Sequence, residues 1–180
     1  MARVLAIALL LAGSGALAMP GQVLIIRHAE KGEDEHLSAR GRERAAALAV
    51  YFLERAEVLE KGRPVAVYAQ KSTMKRPSKR PVETVAPVAA ALMQKVIVYS
   101  HSDYLKMVEE IKTKREYEGK TVLICWEHTA IEDVAKAFGV KETPRWRGKD
   151  FDRVWVLTFS GDGVTLRNLG QRLMFGDAAE

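Results

Sequence analysis

A histidine follows each of two apolar runs in this 180-residue chain, at points where buried strands are expected to end. Arg27 and His28 follow the run 23–26, and His128 lies shortly after the run 121–125. An imidazole can act as a base, a metal ligand or a nucleophile. A guanidinium is suited to bidentate binding of phosphate or carboxylate. These residue types predict a site that binds an anion and can react with it.

The apolar runs are predicted to be strands of one sheet. Runs at 23–26, 65–69, 96–99 and 121–125 alternate with segments in which apolar residues recur at helical spacing. This alternation favours parallel pairing with helices on both faces, and a hairpin signal at 160–163 adds antiparallel strands. The predicted fold class is α/β, a three-layer α/β/α sandwich with a mostly parallel central sheet and an antiparallel C-terminal edge.

The predicted topology brings the polar residues together. The carboxyl ends of parallel strands meet at one edge of a sheet, so His28 and His128 are expected to lie close to each other. Arg80 ends the loop after the second strand and should join Arg27 there. Two imidazoles and two guanidiniums suit a tetrahedral phosphoryl group, since arginines neutralise its oxygens and an imidazole can attack phosphorus in line.

Four short motifs occur in a fixed order between residues 23 and 138. They are Arg27-His28-Ala29-Glu30, Leu37-Ser38-x-x-Gly41, Ser78-x-Arg80-x-x-x-Thr84 and, after the fourth strand, Glu127-His128. In type and order they resemble the motifs of the histidine phosphatase superfamily, although the third motif is one residue shorter than the family's pattern. The resemblance implies the phosphoglycerate-mutase-like fold.

The resemblance also implies a role for each site residue. His28 would be the phosphorylated nucleophile, and Arg27, Arg80 and His128 would bind the phosphoryl oxygens. No cofactor and no metal are implied, because the arginines supply the positive charge that Mg²⁺ supplies elsewhere. The expected activity is hydrolysis of a phosphomonoester through a phosphohistidine on His28. The alternative is a non-catalytic phosphate- or phosphoprotein-binding module that retains the pocket.

The residue that gives a proton to the leaving group stays open. One branch of the family places an acid directly after the second histidine, where this chain has Thr129. Another branch uses a glutamate in the loop after the third strand, and the acid near the start of the following helix is Asp103. Asp103 is equally well interpreted as a plain helix N-cap. Glu127 is the competing catalytic acid, and Glu30 is a weaker competitor.

Three local features carry expectations of their own. Ser38 is a good N-cap for the first helix, whereas Gly41 in the first turn lowers helix propensity and indicates a close backbone approach beneath the loop that carries His28. Pro87 should kink or split the second helix. The tail from Gly170 is expected to be loose.

Residues 1–18 have the pattern of a secretory signal peptide. Arg3 precedes the apolar run 4–12, and Ala16-Leu17-Ala18 forms a small-x-small cleavage site. The apolar run is too short to span a membrane, and a buried N-terminal helix is the alternative. We therefore expect a single domain over 19–180, periplasmic or secreted, without stable membrane insertion after cleavage.

Composition fits one globular domain, with 48% hydrophobic and 28% charged residues. Cys125 is the single cysteine, so no intramolecular disulfide can form. The net charge of +5 favours anionic ligands but is too small to indicate nucleic-acid binding. The expected partner is a phosphorylated small-molecule or envelope substrate.

Overall fold

A six-stranded sheet forms the centre of the computed structural model, which describes residues 18–161 and 163–178. The strands are β1 (Gln22–Arg27), β2 (Pro64–Gln70), β3 (Val96–Tyr99), β4 (Thr121–Trp126), β5 (Arg153–Ser160) and β6 (Gly163–Gly170). Their order is β3-β2-β4-β1-β5-β6. Strands β1 to β4 pair in parallel, and β5 and β6 pair antiparallel. The predicted α/β class with an antiparallel C-terminal edge is confirmed.

Helices cover both faces of this sheet. They are α1 (Ala39–Glu54), α2 (Arg80–Ala91), α3 (Tyr104–Thr113) and α4 (His128–Ala137). One core cluster joins α1 and α2 to the sheet, and the other joins α3 and α4 to the opposite face. Pro87 lies inside α2, which continues through it. The helix is therefore not split, and its buried residues Val85 and Val88 hold both halves on the sheet.

Strand β1 is buried along its whole length. Leu24 and Ile26 face one core cluster, whereas Val23 and Ile25 face the other. A strand covered on both faces reads as a continuous apolar run, which is why its sequence does not alternate. In the parallel pairing of β1 with β4, Arg27 lies opposite Trp126, so the two strands end side by side.

The turn after β1 is fixed to the start of α1. Ser38 caps the helix by accepting a hydrogen bond from the Gly41 N–H at 3.0 Å, and its own N–H donates to the Glu30 carbonyl at 3.0 Å. A Cβ atom on Gly41 would lie 2.4 Å from that carbonyl oxygen, so only glycine fits. The close approach predicted beneath the loop carrying His28 is confirmed.

The C-terminal tail is not loose, and that expectation is wrong. The Arg44 side chain on α1 is only 2% exposed, and its Nη2 lies 2.6 Å from Asp177 Oδ1 and 2.8 Å from Glu30 Oε1. Asp177 Oδ2 also accepts hydrogen bonds from the N–H groups of Leu173 and Met174, each at 3.0 Å. A buried guanidinium needs paired carboxylates, and the tail supplies one of them.

We expect Arg44→Met to lower the free energy of unfolding by about 3–5 kcal/mol, because it leaves two carboxylates without their buried partner. Arg40→Met is the matched control. Its guanidinium contacts the same Glu30 oxygen at 3.2 Å, but the side chain is 45% exposed. Its loss should cost less than about 1 kcal/mol. Urea unfolding measures both values, and equal losses would contradict the role given to Arg44.

The same cluster predicts a direction for the pH dependence of stability. Burial alone would raise the pKa of Glu30 and of Asp177, but hydrogen bonds from Arg44 outweigh it, and each pKa lies below its usual value. The cluster therefore stabilises the fold above the unfolded carboxyl pKa of about 4. This contribution is lost as pH falls through the lower folded values.

Candidate active site

His28 lies at the carboxyl end of β1 and is 2% exposed. Its Nδ1 is 2.8 Å from the Ala29 carbonyl oxygen. A carbonyl can only accept, so Nδ1 carries the ring proton and Nε2 keeps its lone pair. Burial, together with the charges of Arg27 and Arg80, lowers the pKa of His28 to about 3. The ring is thus neutral at neutral pH, with a free nucleophilic nitrogen.

The Arg27 side chain contacts the segment that precedes β5. Its Nη1 donates to the Gly148 carbonyl, and its guanidinium carbon lies 4.1 Å from the centre of the Phe151 ring. Burial lowers the pKa of Arg27 to about 10, so the group remains charged at neutral pH. Its Nε and Nη2 are buried without a hydrogen-bond partner.

Arg80 and His128 are the first residues of α2 and α4. Arg80 Nη1 donates to the Asp34 carbonyl at 2.8 Å, whereas its Nε is buried without a partner. His128 Nδ1 is likewise buried and unpartnered. Burial, and then the charge of Arg27, lower the pKa of His128. Helix N-termini favour anions, so both helices add positive potential at this edge of the sheet.

Thr84 connects α2 to the turn after β1. Its hydroxyl accepts a hydrogen bond from the Ala29 N–H at 2.9 Å and donates to the Arg80 carbonyl at 2.7 Å. The third motif therefore has a structural reason for its threonine, since this side chain holds the helix of Arg80 against the loop of His28.

Unpartnered buried donors are concentrated at this site. In the part of the chain that the structure describes, such side-chain atoms belong to Gln22, Arg27, Tyr51, Arg80, Trp126 and His128. Buried polar groups without partners are costly, and each calls for an explanation. Arg27, Arg80 and His128 are the residues predicted to bind phosphoryl oxygens, and an oxyanion would satisfy their free N–H groups.

A pocket of about 140 Å³ opens beside His28. Its lining includes His28, Lys31, Arg76, Ser78, Arg80 and Glu127. Lys31 and Arg76 are not in the predicted set of site residues. Lys31 follows His28 by three residues in the same turn, which is a usable sequence signal. Arg76 gave no signal beyond its place in a basic loop.

Glu127 is the predicted acid that reaches this pocket. Its Oε2 lies 2.9 Å from Arg76 Nη1 and 3.7 Å from His101 Nε2. Burial alone would raise the pKa of Glu127, but the charge of Arg76 outweighs it, and the pKa lies below its usual value. Glu127 is therefore ionised in this arrangement.

Asp103 does not line the pocket of His28. Its carboxylate lies 2.8 Å from Lys106 Nζ and accepts from the Ser100 hydroxyl, and these contacts lower its pKa. It precedes α3 but makes no capping hydrogen bond. The sheet order explains why Asp103 lies outside this pocket. Asp103 follows the edge strand β3, and β2 and β4 lie between β3 and β1. Glu30, the weaker candidate for the acid, forms an ion pair with Arg44.

Within residues 18–161 and 163–178, no group of three or more His, Cys, Asp or Glu side chains is arranged to hold a metal ion. No helix in that part of the chain has the length and apolar character needed to cross a membrane. The predicted signal peptide falls on residues 1–17, which lie outside the described residues, apart from Ala18 at its end.

Comparison with known proteins identifies the fold. No family model and no curated protein matches the sequence. The putative phosphohistidine phosphatase SixA from Agrobacterium tumefaciens is similar in structure, with a TM-score of 0.52 and 17% sequence identity over 84% of this chain and 99% of that chain. The chain has the SixA fold. This confirms the fold that the resemblance to the histidine phosphatase superfamily implied. In this fold His28 directly follows β1, and His128 begins α4 after β4.

We expect His28 to stay neutral, with its proton on Nδ1, from pH 8 down to about pH 4, because its pKa is lowered to about 3. An unfolded histidine titrates near 6.5, so the fold should lose stability as pH falls from about 6.5 towards 3. Nitrogen-15 NMR of histidine-labelled protein reports both the tautomer and the titration, and His28→Asn identifies the signal. A midpoint near 6.5 would contradict the buried geometry.

Proposed function

We propose that the protein is a phosphohydrolase that transfers a phosphoryl group from a phosphomonoester to His28 and then to water. The observation that carries this proposal is the fixed tautomer of His28, whose Nδ1 is bonded to the Ala29 carbonyl while Nε2 is left free. The unpartnered N–H groups of Arg27 and Arg80 support it, since they can bind the oxygens of the transferred group.

The chemistry balances with the residues of this site. Glu127 acts here in its protonated form, with a proton taken from solvent water when it separates from Arg76. His28 Nε2 forms a bond to phosphorus while the bond to the leaving oxygen breaks, and that oxygen takes this proton from Glu127. Water then attacks the phosphohistidine and gives a proton back to Glu127, and the N–P bond breaks. Arg27, Arg80 and His128 stabilise the charge on the phosphoryl oxygens in both steps.

Phosphohistidine is a second candidate substrate. The state of Glu127 favours it, because a carboxylate paired with Arg76 is a poor proton donor. The imidazole of phosphohistidine leaves more readily than an alkoxide and depends less on such a donor. The similar structure from Agrobacterium tumefaciens carries phosphohistidine in its name.

The sequence pattern of residues 1–18 supports export, so we propose a periplasmic or secreted enzyme. A phosphorylated small molecule or envelope component is then the expected substrate. The competing function is a phosphate- or phosphoprotein-binding module without turnover. It would use the same arginines and His128 but would not need the free Nε2 of His28.

We expect His28→Ala to abolish release of phosphate from an aryl phosphate, because the nucleophile is lost. Rapid quenching and intact-mass measurement should find one acid-labile phosphate on the wild-type protein and none on the variant. His36→Gln is the control, since His36 lies outside the pocket and bonds to Glu83. Wild-type protein that binds phosphate but releases none from an aryl phosphate or phosphohistidine would instead support the binding module.

The acid is tested by the ratio of alkyl to aryl rates. An alkoxide needs a proton as it leaves, and general acid help is worth roughly 10²–10⁴ in rate. We expect Glu127→Gln to reduce hydrolysis of alkyl phosphates far more than that of aryl phosphates. Asp103→Asn, the matched control outside the pocket, should leave the ratio unchanged. A ratio that collapses only in Asp103→Asn would transfer the role to Asp103.

A further inference from the structure

The pocket beside His28 holds more positive charge than one phosphoryl group needs. Arg27 and Arg80 are sufficient for the phosphoryl oxygens in the proposed reaction, and Arg80 lines the pocket of about 140 Å³. Lys31 and Arg76 line it as well. Three cations around one carboxylate, Glu127, leave an excess of positive charge beside His28.

Lys31 has no hydrogen bond or ion pair from its Nζ to any residue that the structure describes. Burial, followed by the charges of Arg27 and Arg80, lowers its pKa. The ammonium is therefore held near two guanidiniums that repel it. Such an arrangement is unfavourable in the free protein and becomes favourable when a further anion lies between these groups.

Arg76 reaches the pocket from the loop between β2 and α2. The loop is ordered by the pair Thr73 and Arg76, whose backbone groups exchange hydrogen bonds at 3.1 Å. The guanidinium holds Glu127 at 2.9 Å, yet the Arg76 side chain is 49% exposed. Ion pairs this exposed contribute little to stability, so an anion on a ligand can replace Glu127 at small cost.

We propose that Lys31 and Arg76 form a second anion subsite, and that the substrate is a phosphomonoester bearing another anionic group, a carboxylate or a phosphate. The substrate assignment rests on the proposed function. Both side chains line the small pocket of His28, so the two anionic groups must be only a few bonds apart. When Arg76 binds the second anion it leaves Glu127, whose partial burial then favours the protonated form that the leaving oxygen requires.

Binding of two phosphonates tests the subsite without any turnover. Phosphonoacetate and methylphosphonate share a non-hydrolysable C–P bond and differ by one carboxylate. We expect the wild-type protein to bind phosphonoacetate at least about tenfold more tightly by calorimetry, as one charged hydrogen bond accounts for that factor. Lys31→Met and Arg76→Gln should each lose most of this preference and change the affinity for methylphosphonate less than about threefold.

Lys75→Met is the matched control. It removes the same charge from the loop of Arg76, but Lys75 does not line the pocket. It should keep the full preference for phosphonoacetate. Loss of the preference in Lys75→Met would overturn the subsite, because surface charge in general would then account for the binding.

Hydrolysis of 2-phosphoglycolate and ethyl phosphate separates the subsite from the proposed function. We expect kcat/KM of the wild-type protein to be at least tenfold higher for 2-phosphoglycolate, and this ratio to collapse in Lys31→Met. Equal rates and equal phosphonate affinities would overturn the subsite and leave the phosphatase in place. A tenfold phosphonate preference without hydrolysis of either ester would overturn the phosphatase and leave the subsite in place.

Discussion

The chain must turn sharply after β1 while His28 stays buried, and the rest of the site depends on this constraint. A buried turn cannot leave its backbone groups to water, so each needs a partner in the protein. The Ala29 carbonyl takes the His28 ring proton, and the Ala29 N–H donates to Thr84. The Glu30 carbonyl accepts from the Ser38 N–H. Two of these partners, Ser38 and Thr84, belong to the start of α1 and to α2, which explains why the motifs that hold the turn follow it along the chain.

The electrostatics of the site oppose the stability of the free protein. Arg27 is buried, and its Nε and Nη2 have no hydrogen-bond partner. Burial of the His28 ring strongly lowers its pKa. Phe151 gives the guanidinium an aromatic face, but no carboxylate pairs with it among the described residues. Strained charge of this kind is typical of functional sites, because an anionic ligand relieves it on binding. The site is thus prepared for an anion before one arrives.

Much of this arrangement follows from the sequence because it depends on local pattern and on one topological rule. The apolar runs predict the strands, and parallel pairing brings His28 and His128 to one edge. The sequence does not predict whether Asp103 or Glu127 lies in the pocket of His28, because this depends on the order of the strands in the sheet. The sequence is compatible with a position of the loop after β3 beside the site, whereas in the structure β3 is an edge strand.

Contacts between segments that are distant in the chain also do not follow from the sequence. Arg27 meets Gly148 and Arg44 meets Asp177 across separations of 121 and 133 residues. Neither Gly148 nor Asp177 lies in a periodic segment or a recognisable motif. Their positions are decided by the packing of irregular segments, for which local spacing carries no information.

The pairing of Arg44 with Asp177 links the turn after β1 to the segment that follows β6. Arg44 contacts both Glu30, which lies two residues after His28, and Asp177, which lies beyond the last strand. A protease that cuts between β6 and Asp177 would leave all six strands uncut but would take one of the two carboxylates away from Arg44. Damage to this segment would therefore reach the loop that carries His28 through a single guanidinium.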